Sequence, residues 1–181
     1  MRQLAWMATA AVLLFSQAAL AGEAPPRPGW YVGVGGGMIA PEGGREGYTR
    51  NLVAGYRSAY ESAATPRSYV STELEISDSV RQVRTDGRRE RSADVLTVGA
   101  YLVGNSYFAE HTFLRSRLGA VFREIDRRDD RRSRQGRLAF GLGIGRVLTP
   151  RTEAVVDLGA QYWGTGAQLY YTATAGLRFH F

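Results

Sequence analysis

The sequence contains no cysteine, no lysine and only two histidines. Each shortage removes a class of explanation. Without cysteine there is neither a disulfide framework nor a thiolate metal centre. Two histidines far apart in the chain, His111 and His180, form no transition-metal ligand set, so neither a metal nor a cofactor is expected. Long apolar runs are scarce too: one stretch, Leu4 to Phe15, stands out, and it falls short of the roughly 20 residues of a spanning helix. Helical periodicity with recognisable caps is also missing.

What is present begins with that run. Arg2 precedes it and Ala19-Leu20-Ala21 follows it, which is the layout of a secretory signal peptide over residues 1–21, cleaved after Ala21. Residues 22–29, GEAPPRPG, read as a short lead-in, and residues 30–181 as one folded domain. An exported chain without cysteine must be stabilised by burial and hydrogen bonding alone. The formal charge of +6, which becomes +5 without Arg2, is carried entirely by arginine. In an exported protein that excess points to anionic lipid or glycolipid phosphate, and nucleic acid is not an expected partner.

From Trp30 onward the chain alternates. Eight segments of about 11 to 13 residues, separated by turn or charge signals, each place apolar residues at every second position. In the closing stretch AQLYYTATAGLRFHF, one face carries Leu169, Tyr171, Leu177, Phe179 and Phe181, and the other Tyr170, Thr172, Arg178 and His180. A period of two is that of a β-strand. Leu138, Phe140, Leu142 and Ile144 oppose Ala139, Gly141, Gly143 and Gly145 in the same way, and Val70, Leu74 and Ile76 oppose Ser71, Glu73 and Glu75. Short connections between consecutive segments imply an up-and-down antiparallel meander.

The two faces decide which side is wet. A soluble, lipocalin-like barrel would carry long solvated side chains outside and would not need glycine there. An eight-stranded interior is only just wide enough for side chains, and small residues beside a few charged ones fill it. The reading is therefore all-β: an eight-stranded antiparallel up-and-down transmembrane barrel, apolar face to lipid and polar face inward, with the soluble barrel as the alternative. Segment lengths match the 9 to 11 residues a tilted strand needs to cross a bilayer. Trp30, Tyr31, Tyr48, Tyr56, Tyr107, Phe108, Tyr162, Trp163, Phe179 and Phe181 fall near strand ends, where interfacial aromatic girdles are expected. GVGGG (33–37) and GLGIG (141–145) lack the Lys-Ser/Thr ending of a phosphate loop and read as glycines under a crowded wall.

Signal peptide, eight amphipathic segments, the short TPRT turn opposite long charged loops, and the ending LRFHF together resemble the small eight-stranded outer-membrane barrels of the OmpA/OmpX type, opacity-like surface proteins included. The resemblance spans residues 30–181 and implies a bacterial outer-membrane protein without an appended peptidoglycan-binding domain. It also implies that Phe181 and Phe179 form the signal read by the outer-membrane assembly machinery. Both chain ends would face the periplasm. Outer loops would span 41–47, 79–92, 126–136 and 164–167, and periplasmic turns 60–67, 105–112 and 149–152.

No catalytic residue is expected. Ester chemistry needs a nucleophile beside a base, and His111 and His180 both fall at the periplasmic end, away from the outer leaflet where enzymes of this family type act. Two charge features carry the functional expectations. Inside, Glu73, Glu75 and Asp157 are expected to pair with some of Arg115, Arg117, Arg123 and Arg178, because an unpaired charge there costs several kcal/mol. Outside, seven arginines against four acids between Arg123 and Arg137 place Arg127, Arg128, Arg131, Arg132 and Arg134 where lipopolysaccharide phosphates would lie. Outer-membrane lipid and lipopolysaccharide are thus the expected partners of a monomer, with an adhesive or host-contact role, a passive structural role and a minor porin-like pore as competing readings.

Overall fold

The alternation becomes nine β-strands in the computed structural model, which describes residues 28–41, 46–58, 68–79, 83–85, 91–127, 131–162 and 169–181, with backbone alone for 83–85, 91–93, 125–127 and 131–133. The signal peptide and its cleavage site, most of the lead-in, the turn 60–67, the loop 164–167, Trp163 and Arg128 lie outside the described residues. The strands are β1 (Gly29–Pro41), β2 (Gly47–Arg57), β3 (Ser68–Ser79), β4 (Val83–Thr85), β5 (Arg91–Tyr107), β6 (Thr112–Arg127), β7 (Arg131–Thr149), β8 (Thr152–Tyr162) and β9 (Tyr170–His180).

All pairings are antiparallel, and all but the closing one join successive staves; β3 and the three-residue β4 both lie against β5, so the wall has eight staves. The ring closes where β1 meets β9, in register from Tyr31↔His180 to Pro41↔Tyr170. Closure leaves no unpaired edge, which is what allows a sheet to sit in hydrocarbon. The end that holds the Pro150–Arg151 turn, with Gly29 close to Phe181, is the one expected to face the periplasm and is here the lower end.

Two expected loops are partly strand. The stretch 126–136 continues the β6–β7 ladder up to Arg127↔Arg131, and within 79–92 the short β4 pairs with Arg91–Ala93 of β5. Charge composition suggested loop, but above the lipid a ladder needs only paired backbone groups and compatible cross-strand neighbours. Glu124 opposite Arg134 supplies such a pair. The lower connection 105–112 is likewise shorter than expected, since β5 runs to Tyr107 and β6 starts at Thr112.

Burial is inverted relative to a soluble domain. Leu52, Leu74, Leu102, Leu118, Phe140, Leu142 and Leu158 point outward and are more than half exposed, whereas Glu73, Arg115, Arg123 and Glu153 are at most 2 % exposed. So continuous an apolar outer surface is foreign to a soluble monomer and removes the lipocalin-like alternative. Trp30 packs edge-on against Tyr56 at 5.2 Å in the lower rim, with Phe108, Phe179 and Phe181 also exposed there. Tyr162 and Tyr171 are exposed in the upper rim.

Two residues of the expected girdle turn inward instead. Tyr31 is 2 % exposed, and Tyr107 packs at 5.0 Å against the buried ring of Phe113. Parity explains both: each sits one residue away from its lipid-facing neighbour, Trp30 or Phe108. Inside, Phe113, Val147 and Val155 make an apolar lower plug, and Ile39, Val95 and Tyr170 an upper one. Gly145 makes room for the Phe113 ring, and Gly55 for that of Tyr31, since a Cβ at either position would overlap those ring atoms.

Candidate functional site

Between the two apolar plugs, the inward positions of β3, β6, β8 and β9 converge on one ion-paired cluster. Glu73 is its hub. The Arg115 guanidinium donates to it at 2.6 Å, Arg178 Nε at 3.0 Å and the Tyr31 hydroxyl at 2.7 Å, and Arg117 lies at 3.5 Å. Asp157 accepts from Arg115 Nε at 3.0 Å and also faces Arg117 at 3.6 Å and Arg178 at 3.9 Å. Glu75 pairs with Arg117, whose guanidinium also stacks over the Tyr101 ring at 4.0 Å. The structure thus brings together six of the seven residues expected to pair inside: three carboxylates against three arginines.

Local sequence dictates this arrangement. Glu73 and Glu75 share a face of β3 because they are two apart, and Arg115 and Arg117 share one of β6 for the same reason. Register sets the rest, since Glu73 lies opposite Tyr101 and Tyr101 opposite Gly119, so both strands project at one depth. Gly119 and Gly99 leave the space that the Tyr101 ring fills.

Arg123 is placed differently. It is 1 % exposed and sits in the upper lumen, where it donates to Gln161 and lies 3.9 Å from the Tyr170 ring centroid. No carboxylate pairs with it among the described residues, because the acids of the cluster sit lower on their strands. Arg137, also buried, leans on the same ring at 4.8 Å and donates to Gln135 at 2.6 Å.

A second cluster escaped the reading of the sequence. Near the lower end Glu153 accepts from Arg57 at 2.6 Å and from the Tyr107 hydroxyl at 3.4 Å, and it lies 3.1 Å from His180 Nε2. His180 is therefore buried inside the lumen, not isolated at a rim, and its ring sits 5.0 Å from that of Tyr31. Parity within β8, where Glu153, Val155, Asp157 and Gln161 share a face, was the available signal. His111 lies in the lower turn, 3.8 Å from Glu110.

The outer face changes character at one height. Along β6 and β7, Leu118, Phe140, Leu138 and Phe122 give way to Glu124 and Arg134, which pair at 3.2 Å with the Arg134 side chain largely exposed. Leu52 and Ile76 on β2 and β3 give way in the same manner to Arg50 and Asp78, paired at 3.1 Å. Arg127, Arg131 and Arg132 belong to the ladder above that line.

No family model matches the chain, and no curated protein does. Solved structures do. Neisserial surface protein A is 16% identical with a TM-score of 0.60, over 84% of this chain and 97% of its own. Ail, the attachment invasion locus protein of Yersinia pestis, is 16% identical with a TM-score of 0.54, over 87% of this chain and 99% of that one. A major outer membrane protein from Thermus thermophilus gives a TM-score of 0.54 at 12% identity, over 84% and 99%. At these identities the likeness is one of fold: this chain has the architecture of the small eight-stranded outer-membrane barrels.

Proposed function

We propose that the chain is an integral, non-enzymatic outer-membrane barrel whose arginine-bearing β6–β7 hairpin contacts lipopolysaccharide. The observation that carries this reading is the change of the outward column from Phe122 to Glu124 and Arg134. It sets arginine at the height where an apolar belt ends, which is where phosphates of an outer leaflet would begin. The Glu124–Arg134 pair does not argue against it. Solvent-exposed pairs contribute about 0 to 1 kcal/mol, so a phosphate can compete for that guanidinium, and arginine's planar fork suits phosphate.

In this reading the protein is a monomer with its lower end in the periplasm. Phe181 and Phe179, both exposed on the outer face there, serve the assembly machinery as the recognition signal. Heat-modifiable gel mobility in purified outer membranes tests location and fold together; recovery from the soluble periplasm with one mobility would refute them. For the hairpin, Arg127, Arg128, Arg131, Arg132 and Arg134 are replaced together by serine. Each exposed contact is small and screened by salt, so the effect is collective. Lipopolysaccharide co-purification falls while heat-modifiable folding persists. Unchanged retention at both low and moderate salt returns the hairpin to a solvated, self-paired role.

A further inference from the structure

Above the ion-paired cluster the lumen is not filled. A cavity of about 550 Å³, its open mouth included, lies between that cluster and the upper apolar plug. Glu75, Asp157 and Arg117 form its floor, and Ile39 part of its top. Gly141 on β7 and Gly159 on β8 line it without sending a side chain into it.

Hydroxyls ring the cavity between floor and top: Thr49 on β2, Ser77 on β3, Thr97 on β5, and Thr172 and Thr174 on β9. Thr49 is 9 % exposed and Thr97 7 %, yet none of these hydroxyls has a hydrogen-bond partner among the described residues. None is shut in by packed atoms, as the Nε of Arg123 is; each opens on the cavity. Gln161 accepts from Arg123 with its carbonyl, which leaves its amide N–H groups to the cavity. Arg117 engages one oxygen of Glu75 and leaves the other open. Burying hydroxyls and amides without a partner is costly, so these groups call for an occupant.

The chemistry of that occupant follows from what the wall offers and withholds. Glu75 and Asp157 in the floor repel an anion, and the Arg117 guanidinium, 3.6 Å from Asp157, repels a cation. A purely apolar molecule would displace water from the hydroxyls without replacing its hydrogen bonds. Ile39 and Ala139 in turn give the wall apolar patches, which water covers poorly. A neutral carbon skeleton bearing several hydroxyls meets both demands, because each of its O–H groups donates and accepts as those of the wall do.

We infer that this chamber is a binding site for a small neutral polyol. The ring of threonine and serine hydroxyls exchanges hydrogen bonds with those of the ligand, the open Glu75 oxygen accepts one and the Gln161 amide donates one. The ligand's carbon chain lies against Ile39 and Ala139. The site is independent of the β6–β7 hairpin reading, because its polar wall is inside the barrel.

The test uses the full barrel with labelled threonine methyls, refolded in an alkyl phosphocholine detergent, which carries neither sugar nor glycerol. Glycerol is titrated in, and 1-propanol, with the same number of carbons, serves as the comparison. A saturable shift is expected at Thr49, Thr97, Thr172 and Thr174 with glycerol and not with propanol, while Thr112 and Thr152 at the lower end do not saturate. T97V and T174V each keep the shape and remove one hydroxyl. In either variant, once heat-modifiable folding is verified, half-saturation moves to about fivefold higher glycerol, the worth of one neutral hydrogen bond. Chamber methyls that never saturate, or that move only in step with Thr112 and Thr152, overturn the inference and leave the cavity to water. Propanol saturating as well as glycerol overturns it too, as does a half-saturation that neither variant changes.

Discussion

Replacing Glu73 by glutamine should be the most destabilising isosteric change in the lumen. The substitution keeps the shape and removes one charge from a cluster of three carboxylates and three arginines, all with side chains about a tenth exposed or less. Arg178 loses its 3.0 Å partner and keeps Asp157 only at 3.9 Å, while Arg115 loses a 2.6 Å contact but retains Asp157 at 3.0 Å. Uncompensating a buried pair costs about 3–5 kcal/mol, and E73Q should fall in that range. E75Q removes an acid with one close partner at the edge of the cluster, and should cost about 1–2 kcal/mol, near the worth of one charge-assisted bond. Urea unfolding in phospholipid vesicles, followed by tryptophan fluorescence and checked by gel mobility, measures both. The double variant E73Q/R178Q restores neutrality and should be destabilised by at least 1 kcal/mol less than the two single changes added, roughly the coupling expected of contacting residues. If E73Q costs less than about 1 kcal/mol, or less than E75Q, Glu73 is not the hub and the account of the lumen fails.

Three further outcomes are expected. Leu118 sits midway along the outward face of β6 and Phe122 near its upper limit, so L118R should cost about 2–4 kcal/mol and F122R about 0–1 kcal/mol in the same vesicle assay; equal costs would mean the apolar belt is not the lipid-facing band. A methyl at Gly145 would overlap the Phe113 ring, so G145A should lose about 1–3 kcal/mol, and F113L introduced beside it should recover part of that loss. Planar-bilayer recordings of the pure monomer should lack a large stable conductance, because ion pairs fill the mid-lumen and apolar plugs lie above and below it; a wide, persistent open state would contradict this.

Much of this was legible because strand geometry leaves so little choice. Once Leu114, Leu118 and Phe122 are assigned to lipid, Arg115, Arg117 and Arg123 must point inward, and the acids of β3 and β8 follow by the same rule. Depth was not legible. Whether Arg123 reaches a carboxylate depends on the shear of the whole wall, which sums the register of eight pairings, and none of those registers is written in a local pattern. The Arg57–Glu153 contact is lost to sequence reading for the same reason, the two residues being 96 positions apart. Nearness to a strand end suggests a girdle position for Tyr31 and Tyr107, but parity with Trp30 and Phe108 turns both inward. The outer hairpins are strand where their charge suggests loop, because charge marks a loop in chains seeking a core and not in a ladder standing above a membrane.

The seam between β1 and β9 sets the order in which the barrel can be made. Tyr31 meets His180, and Phe181 donates its amide to the Trp30 carbonyl at 3.1 Å, so the earliest and latest parts of the domain are zipped to each other. Bringing together positions ~150 residues apart costs about 4 kcal/mol in chain entropy, and no seam contact exists to offset it until the eight staves are almost complete. Until then the sheet has two open margins and an apolar outer face, the combination most prone to association with other chains. Productive closure therefore belongs at the bilayer, where lipid receives that face as it forms. In transit the polypeptide has to be kept from collapsing, and a defect in the last strand would strand the whole molecule as an open sheet, however sound the preceding seven staves.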